Sequence, residues 1–237
     1  MSQFKAKNTK NTTVMIIILL ITFVAAYFIY GDTYNQTADP DKLASAIGDY
    51  LASSDVKAEI QIIDKEKEWL YVVFSDSRYG NNFKGMVRLK RGWNGKYVLY
   101  DANYGTGYPV SQYYFRGNNN KIAIYGLIPD TRAKRFEYIS AGAFSDGKVI
   151  YSGDITQKAF VQVYDRVNDD LSSLKLYDAA GNDITESYSI ENINNAPSAG
   201  VSTAELFTAD FACGFILFFG FLLAFAFWYR QKPKKVS

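Results

Sequence analysis

Several short polar motifs in the chain carry residue types that could do chemistry. Ser172 and Lys175 have the S-x-x-K spacing of penicillin-binding enzymes, in which the serine is a nucleophile at a helix start. Here the pair enters a predicted strand, and the sequence contains no K-T-G partner. The spacing therefore indicates two residues of a surface strand.

Carboxylates and amides form further candidate groups. Two sets of residues resemble part of a calcium loop, namely Asp101, Asn103 and Gly105, and Asp178, Asn182 and Asp183. Neither set has the closing glutamate of an EF-hand, so turn chemistry is favoured. Paired carboxylates could also hydrolyse a glycoside. The candidates for such a pair are Asp64, Glu66, Glu68, Asp169 and Asp170. A solvated acidic face explains them more simply, and a carboxylate-dependent envelope hydrolase is kept as a third hypothesis.

Histidine is absent from the 237 residues, and Cys213 is the single cysteine. This composition excludes histidine-based triads, histidine-containing zinc sites and disulfide bonds within the chain. The sequence thus predicts no catalytic residue, no metal site and no cofactor.

A segment rich in tyrosine is the strongest candidate for a binding surface. Flat aromatic rings beside amide groups suit sugar rings, and exposed tyrosines also anchor protein interfaces. The alternative is that tyrosine is simply a good strand residue. The candidate surface consists of Trp93, Tyr97, Tyr100, Asn103, Tyr104, Tyr108, Tyr113 and Tyr114.

Two uncharged apolar stretches, 14–30 and 211–229, enclose almost all of the polar sequence. As helices they would span roughly 26 and 28 Å, close to the hydrocarbon thickness of a bilayer. We predict two transmembrane helices. The first stretch could instead be a cleaved signal peptide, but the residues that follow offer no small-x-small cleavage site.

The charges predict the orientation of these helices. The two outer tails, 1–13 and 230–237, carry seven basic residues and no acidic one. Short loops rich in lysine and arginine stay in the cytoplasm, so both ends are placed inside. The remaining 19 basic and all 24 acidic residues lie between the tails, so the exported part is mildly acidic and unsuited to nucleic acid.

Small residues could let the two predicted helices pack against each other. Thr22 and Ala26, and likewise Gly220 and Ala224, lie four residues apart and so share a helix face. The alternative is that both helices simply face lipid. Ser202 and Glu205 have capping-box spacing and predict that the second helix begins before the membrane.

Between the spans, the apolar period predicts one helix followed by strands. Leu43, Ile47 and Leu51 form one apolar helix face, and alternation with a period of two begins near Val56. Asn94-Gly95 is a two-residue hairpin signal. We therefore predict an amphipathic helix on an antiparallel meander, followed by seven short strands that suggest a β-sandwich. The last of these strands is predicted at 183–186.

The predicted organisation runs from end to end of the chain. The segments are cytoplasmic tails at 1–13 and 230–237, transmembrane helices at 14–30 and 211–229, tethers at 31–38 and 191–209, an extracytoplasmic α+β meander at 39–116 and a β-sandwich-like region at 117–190.

Function is predicted from this organisation and not from a motif. The first hypothesis is a non-catalytic accessory or scaffold subunit, acting on another membrane or envelope protein through its exported domain and its helices. The second is a module that binds or senses envelope glycan or peptide through the tyrosine-rich segment. Rich lysine, asparagine, isoleucine and tyrosine usage favours a bacterial plasma membrane, and homo- and hetero-oligomers are both compatible with the sequence.

Overall fold

The computed structural model of the chain describes residues 2–51, 55–79, 83–106, 108–115, 120–128, 131–140, 147–167, 171–188 and 204–229. Two compact units are present. One unit combines residues 1–35 with 202–237, and the other is formed by residues 36–201.

The first unit contains two long helices, α1 (Ser2–Thr33) and α3 (Ala204–Tyr229). Within the described residues, Thr12–Thr33 and Asp210–Tyr229 are the two stretches long and apolar enough to cross a membrane. Each helix extends beyond its predicted span, since α1 begins in the basic tail and α3 begins before residue 211. Ser202, the predicted helix cap, lies outside the described residues.

The second unit opens with helix α2 (Pro40–Tyr50). The Asp39 side chain accepts a hydrogen bond from the backbone N–H of Lys42 at 3.0 Å, and Pro40 occupies the first turn. Such a cap satisfies one of the N–H groups that a helix start leaves without an intrahelical partner. Leu43 and Ile47 are fully buried, so the apolar face of α2 is covered.

The described residues of this unit then form ten strands: β1 (Ala58–Glu66), β2 (Trp69–Asp76), β3 (Lys84–Arg91), β4 (Tyr97–Thr106), β5 (Val110–Tyr114), β6 (Lys121–Leu127), β7 (Arg135–Ser140), β8 (Val149–Asp154), β9 (Ala159–Asp165) and β10 (Leu171–Tyr177). They form three antiparallel sheets with the orders β1-β2-β3-β4, β5-β6-β9 and β10-β7-β8.

Three buried clusters connect these elements. The helix-side core joins α2 to one face of the four-stranded sheet, and the inter-sheet core joins the opposite face of that sheet to β6 and β9. The distal core joins the two three-stranded sheets. Strand β2 contributes to two of these cores, because Leu70, Val72 and Phe74 face α2 while Tyr71 and Val73 face β6. Burial on both faces explains its continuous apolar sequence.

One local prediction differs from the structure. The predicted strand at 183–186 is replaced by a single bridge at Asp183 and a 3₁₀ turn at Thr185–Ser187. The Asp183 carboxylate accepts hydrogen bonds from the N–H and the hydroxyl of Thr185, which closes a turn instead of extending a strand.

Candidate functional site

The contact between α1 and α3 is lined by small side chains. Thr22, Ala26, Gly220 and Ala224 are all buried. A Cβ atom placed on Gly220 would overlap the Thr22 side chain, so glycine is needed at this crossing. The Thr22 hydroxyl donates a 2.8 Å hydrogen bond to the Ile18 carbonyl within its own helix. The structure thus buries all four residues that the sequence singled out for helix packing and brings Thr22 against Gly220.

Two further contacts define the direction of the helices. The Cys213 sulfur lies 3.6 Å from the carbonyl oxygen of Ala26. The rings of Phe23 and Phe221 meet edge to face, with centroids 5.9 Å apart. Because later residues of α1 meet earlier residues of α3, the pair is antiparallel. We call this contact the helix seam, formed by Thr22, Ala26, Cys213, Gly220 and Ala224.

Outside the helix seam, both helices expose large apolar side chains. Phe28 is 68% exposed and Ile21 64%, while Phe211 and Phe218 are each 60% exposed. Water-exposed apolar surface of this extent on both helices marks a contact with lipid or with another protein. The seam and the outward surface together form the first candidate site.

The structure distributes the tyrosine-rich segment over different environments. Tyr97 and Tyr104 are buried in the helix-side core. Tyr113 packs against the inter-sheet core, and the amide of Asn103 donates to the Tyr125 hydroxyl at 3.2 Å. These four residues support the packing of the sheets and leave little ring surface for a ligand.

Trp93, Tyr108 and Tyr114 are the exposed members of the predicted surface. Trp93 precedes β4 and Tyr108 follows it, so a strand of ten residues, roughly 33 Å long, separates them. The eight candidate residues therefore do not form one continuous surface.

Tyr100 belongs to a buried cluster around Arg88, which we call the arginine cage. The Arg88 guanidinium donates from Nε to Oδ1 of Asp101 at 3.1 Å and from a terminal nitrogen to Oδ2 at 2.6 Å. Its carbon lies 4.3 Å from the ring centroid of Trp69, 4.8 Å from that of Tyr100 and 4.0 Å from that of Phe115. The charge is thus paired by one carboxylate and by three aromatic faces.

Both charged side chains of the arginine cage are only 1% exposed. Sequence reasoning considered Asp101 as a turn residue and did not find its partner. The sequence does place Arg88 and Asp101 among apolar strand residues. Two opposite charges in strands that are covered on both faces indicate an internal ion pair. The arrangement stabilises the packing of sheets, because every charged group in it is occupied.

A second buried carboxylate, Asp76, accepts hydrogen bonds from Arg78 and Tyr104. The guanidinium of Arg78 lies 2.6 Å from Oδ2, and the Tyr104 hydroxyl donates to the same oxygen at 2.5 Å. Burial raises the pKa of the Asp76 carboxyl, but the hydrogen bonds from Arg78 and Tyr104 outweigh it and lower the pKa to about 2. Asp76 therefore stays ionised and fixes Tyr104 in the core.

Lys84 is the fourth buried charged residue described in the four-stranded sheet, after Arg88, Asp101 and Asp76, and it is 1% exposed. Within the described part of the chain, no carboxylate lies in salt-bridge distance of its ammonium. Burial lowers the pKa of Lys84 to about 7. Its partner in the β2–β3 register is Ser75, which accepts a 2.9 Å hydrogen bond from Gln61. The register partner of Lys84 on β2 is thus polar and uncharged.

In the described residues, the remaining motifs do not bring catalytic or metal-binding groups together. Asp178 accepts hydrogen bonds from the backbone and side chain of Asn182, as a turn residue does. Among the described residues, no group of three or more cysteine, aspartate or glutamate side chains could hold a metal ion. Asp169 and Asp170 lie outside the described residues.

Two shallow clefts are lined by described residues of the second unit. A cleft of about 570 Å³ lies between α2 and β4 and is lined by residues such as Gln36, Asp49 and Leu99. A cleft of about 440 Å³ lies at the end of the four-stranded sheet, where its lining includes Lys67, Arg91 and Trp93. The second cleft therefore combines cationic groups with the exposed indole.

Comparison with protein-family models, curated proteins and solved structures finds no match to this chain. The features of the molecule that bear on its function are therefore the helix seam, the outward apolar surface and the Trp93 cleft.

Proposed function

We propose that the chain is a non-catalytic accessory or scaffold subunit of a membrane-protein complex. In this proposal α1 and α3 cross the plasma membrane, and residues 36–201 act outside the cytoplasm. The observation that carries it is the large apolar surface on both sides of the helix pair, which includes Phe28, Phe218 and Phe225. In water such a surface is unfavourable, whereas in a bilayer it faces a matching solvent.

The tails support the orientation with both termini in the cytoplasm. Seven basic residues flank the helices on their outer sides, without an acidic residue to offset them. Positive residues beside a span are retained in the cytoplasm. The mildly acidic middle of the chain has no comparable bias that would hold it inside.

The separation of small and large side chains on the two helices supports a scaffold role. Small residues form the helix seam, so α1 and α3 pair with each other through Thr22 and Gly220. The large rings remain on the outside, where they can pack against a helix of another protein. Phe218 and Phe225 are seven residues apart, which places them on one side of α3.

The second unit supports the proposal through its closed packing. Arg88, Asp101 and Asp76 are paired internally, so these groups stabilise the domain. The distal core connects the two three-stranded sheets, which supports the sandwich-like arrangement proposed for most of 117–190. Such a domain can serve as a rigid contact surface.

The envelope-binding alternative receives less support. Its proposed surface included Tyr97 and Tyr104, and both are buried in the helix-side core. Replacing these two residues would disturb folding whether or not a ligand binds. The hydrolase alternative would require two carboxyl groups in a common cleft. The two clefts described above include Asp49 and Glu68 singly.

Membrane placement is tested by topology reporters fused after Asp32 and before Glu205 in the full-length chain. We expect both reporters to be active outside the cytoplasm, and we expect the protein to resist extraction with carbonate. Accessibility of both reporters to cytosolic reagents would contradict the proposed orientation, and release by carbonate would contradict the spans.

Scaffold function is tested by purifying the full-length protein from native membranes in mild detergent, followed by native mass spectrometry. We expect a complex with another membrane protein. The double variant Phe218→Leu/Phe225→Leu keeps the apolar character of α3 but removes two rings, and we expect it to recover less partner. Leu222→Ile/Leu223→Ile is the matched control on the same helix. A monomer without companions in the wild type would contradict a scaffold role.

A further inference from the structure

The turn between β3 and β4 presents the most exposed aromatic residue of the described part of the second unit. Trp93 is 67% exposed. The turn around it is fixed, because Gly92 N–H donates to the Lys96 carbonyl at 2.7 Å and Gly95 adopts a φ of +78°. The indole is therefore held outward by a rigid support and does not reach solvent through a loose loop.

Cationic side chains surround this turn. Exposed Lys67 and Arg91 line the same shallow cleft as Trp93. Lys67 adopts a φ of +53°, a left-handed conformation that costs energy for a residue with a side chain. Lys67 lies in the turn between β1 and β2, where tight hairpins use such a conformation, and this turn adjoins the Trp93 turn at the cleft.

The end of the sheet is basic although the region between the spans is acidic. The basic residues at this end are Lys65, Lys67, Lys90, Arg91 and Lys96, and the acidic residues among them are Glu66 and Glu68. The excess of positive charge is local, since 24 acidic residues outnumber 19 basic ones between the two tails. Charge complementarity therefore points to an anionic surface.

Chain connectivity supports a membrane as that surface. Gln36 and Tyr97 exchange backbone hydrogen bonds of 2.9 Å in both directions, and Tyr97 directly follows Lys96. Gln36 follows Thr33, the last residue of α1, by three residues. The start of β4 is therefore hydrogen-bonded to the first residue of the second unit.

We propose that the turn Gly92–Lys96, together with Lys67 and Arg91, binds the headgroups of anionic phospholipids and inserts Trp93 into the bilayer interface. Tryptophan is favoured at this depth because its ring is apolar and its N–H is polar. Each nearby lysine or arginine adds an attraction to anionic lipid that salt screens. This inference rests on the proposed insertion of α1 and α3, and it adds a lipid-binding site to the exported domain.

The test uses the full-length protein in nanodiscs with lipids brominated on the upper acyl chain, which quench nearby tryptophan. The Trp93 signal is the difference between the wild type and Trp93→Phe. We expect loss of Trp93 emission in phosphatidylcholine mixed with phosphatidylglycerol. We expect less quenching in phosphatidylcholine alone and at about 0.5 M NaCl, where the screening length is short.

Charge variants distinguish the site from general attraction. We expect Lys67→Glu/Arg91→Glu to abolish the quenching of Trp93, so that the only quenching left is that of the tryptophans which Trp93→Phe retains. The control Lys148→Glu/Lys158→Glu makes the same change in net charge with two exposed lysines elsewhere in the unit, and we expect it to behave as the wild type.

Three results would overturn the proposal. One is a Trp93 emission that brominated lipid leaves unchanged, and another is equal quenching in both lipid compositions. The third is a response of Trp93 to soluble heparin without quenching by lipid, which would assign the turn to a soluble polyanion. Incorporation of the protein into the discs is recorded separately by co-elution with the scaffold protein. Failure of membrane insertion is thereby distinguished from failure of the Trp93 site.

Discussion

Replacing Arg88 by methionine tests whether the arginine cage stabilises the second unit. Methionine keeps most of the apolar stem but removes the guanidinium, and it leaves the Asp101 carboxylate buried without its cationic partner. At present Arg88 holds that carboxylate through two hydrogen bonds of 2.6 and 3.1 Å. Both side chains are 1% exposed, so water cannot replace the lost bonds without opening the sheet.

The expected loss follows from this burial. Removing one partner of a buried ion pair typically costs about 3–5 kcal/mol, because the remaining charge stays desolvated. Loss of the contacts with Trp69, Tyr100 and Phe115 adds to that cost. Total stabilities of domains are about 5–15 kcal/mol, so Arg88→Met should remove a large share of the free energy of unfolding.

Two further variants separate charge from packing. Arg88→Met/Asp101→Leu removes both charges, and we expect its stability to return to within about 1–2 kcal/mol of the wild type. Arg135→Met is the matched control, because Arg135 pairs with Glu137 at 3.1 Å but is 48% exposed. We expect this control to change the stability by less than about 1 kcal/mol.

Urea unfolding of the full-length chain in detergent measures these differences, with near-ultraviolet circular dichroism reporting the fixed packing of aromatic rings. The reasoning is refuted if Arg88→Met shifts the unfolding midpoint no more than Arg135→Met does. It is also refuted if the double variant is as unstable as the single one.

Three more perturbations have expected outcomes. The pKa of Lys84 is about 7 in the folded chain against 10.5 ordinarily, so between these values the unfolded chain binds more protons and stability rises with pH. Urea unfolding should therefore give a free energy of unfolding about 2 kcal/mol higher at pH 9 than at pH 7, and Lys84→Met should lack this gain. The pKa of Asp76 is lowered from 3.8 to about 2, so the ionised carboxylate contributes about 2 kcal/mol to the free energy of unfolding above pH 4, and this contribution is lost as the pH falls to 2. Acid unfolding of Asp76→Asn should lack this loss of stability. In a chain that carries Ala26→Cys, oxidation should form a disulfide with native Cys213, and Gly220→Leu should lower the yield of this disulfide because it separates the helices. Gly214→Leu is the control, since a Cβ there meets nothing within 4 Å, and equal disulfide yields in the two leucine variants would contradict the helix seam.

The elements of the second unit follow from local patterns in the sequence. Asp39 and Pro40 predict the start of α2, and Asn94-Gly95 predicts the turn between β3 and β4, where Gly95 has the positive φ that such a turn requires. Strands β6 and β9 are apolar runs that polar turn residues flank on each side. Pairing between strands is less predictable, since β5 could pair with either neighbour until the inter-sheet core is formed.

The tyrosine-rich segment shows why side-chain direction was not predictable. Strand β4 is irregular at Tyr100, because Leu89 pairs with Leu99 while the preceding residue, Arg88, pairs with Asp101. The extra residue reverses the alternation, so Tyr104 faces α2 while Asp101 and Asn103 face the opposite side. No residue type in this stretch indicates a bulge. A perfect alternation would have kept Asp101 away from Arg88, and the arginine cage could not form.

The exposed apolar residues of the two units need different explanations. On α1 and α3 they adjoin one another along both helices, and only a bilayer or a partner protein can cover such a surface. In the described part of the second unit they are scattered, and they are Tyr79, Trp93, Tyr108, Tyr114, Val149 and Val167. Single exposed residues of this kind are normal on a soluble surface. Trp93 differs because it shares a cleft with Lys67 and Arg91, and because Tyr97, at the end of the same turn, pairs with Gln36. Replacing Trp93 should therefore change how the domain contacts lipid while leaving the insertion of the helices unchanged.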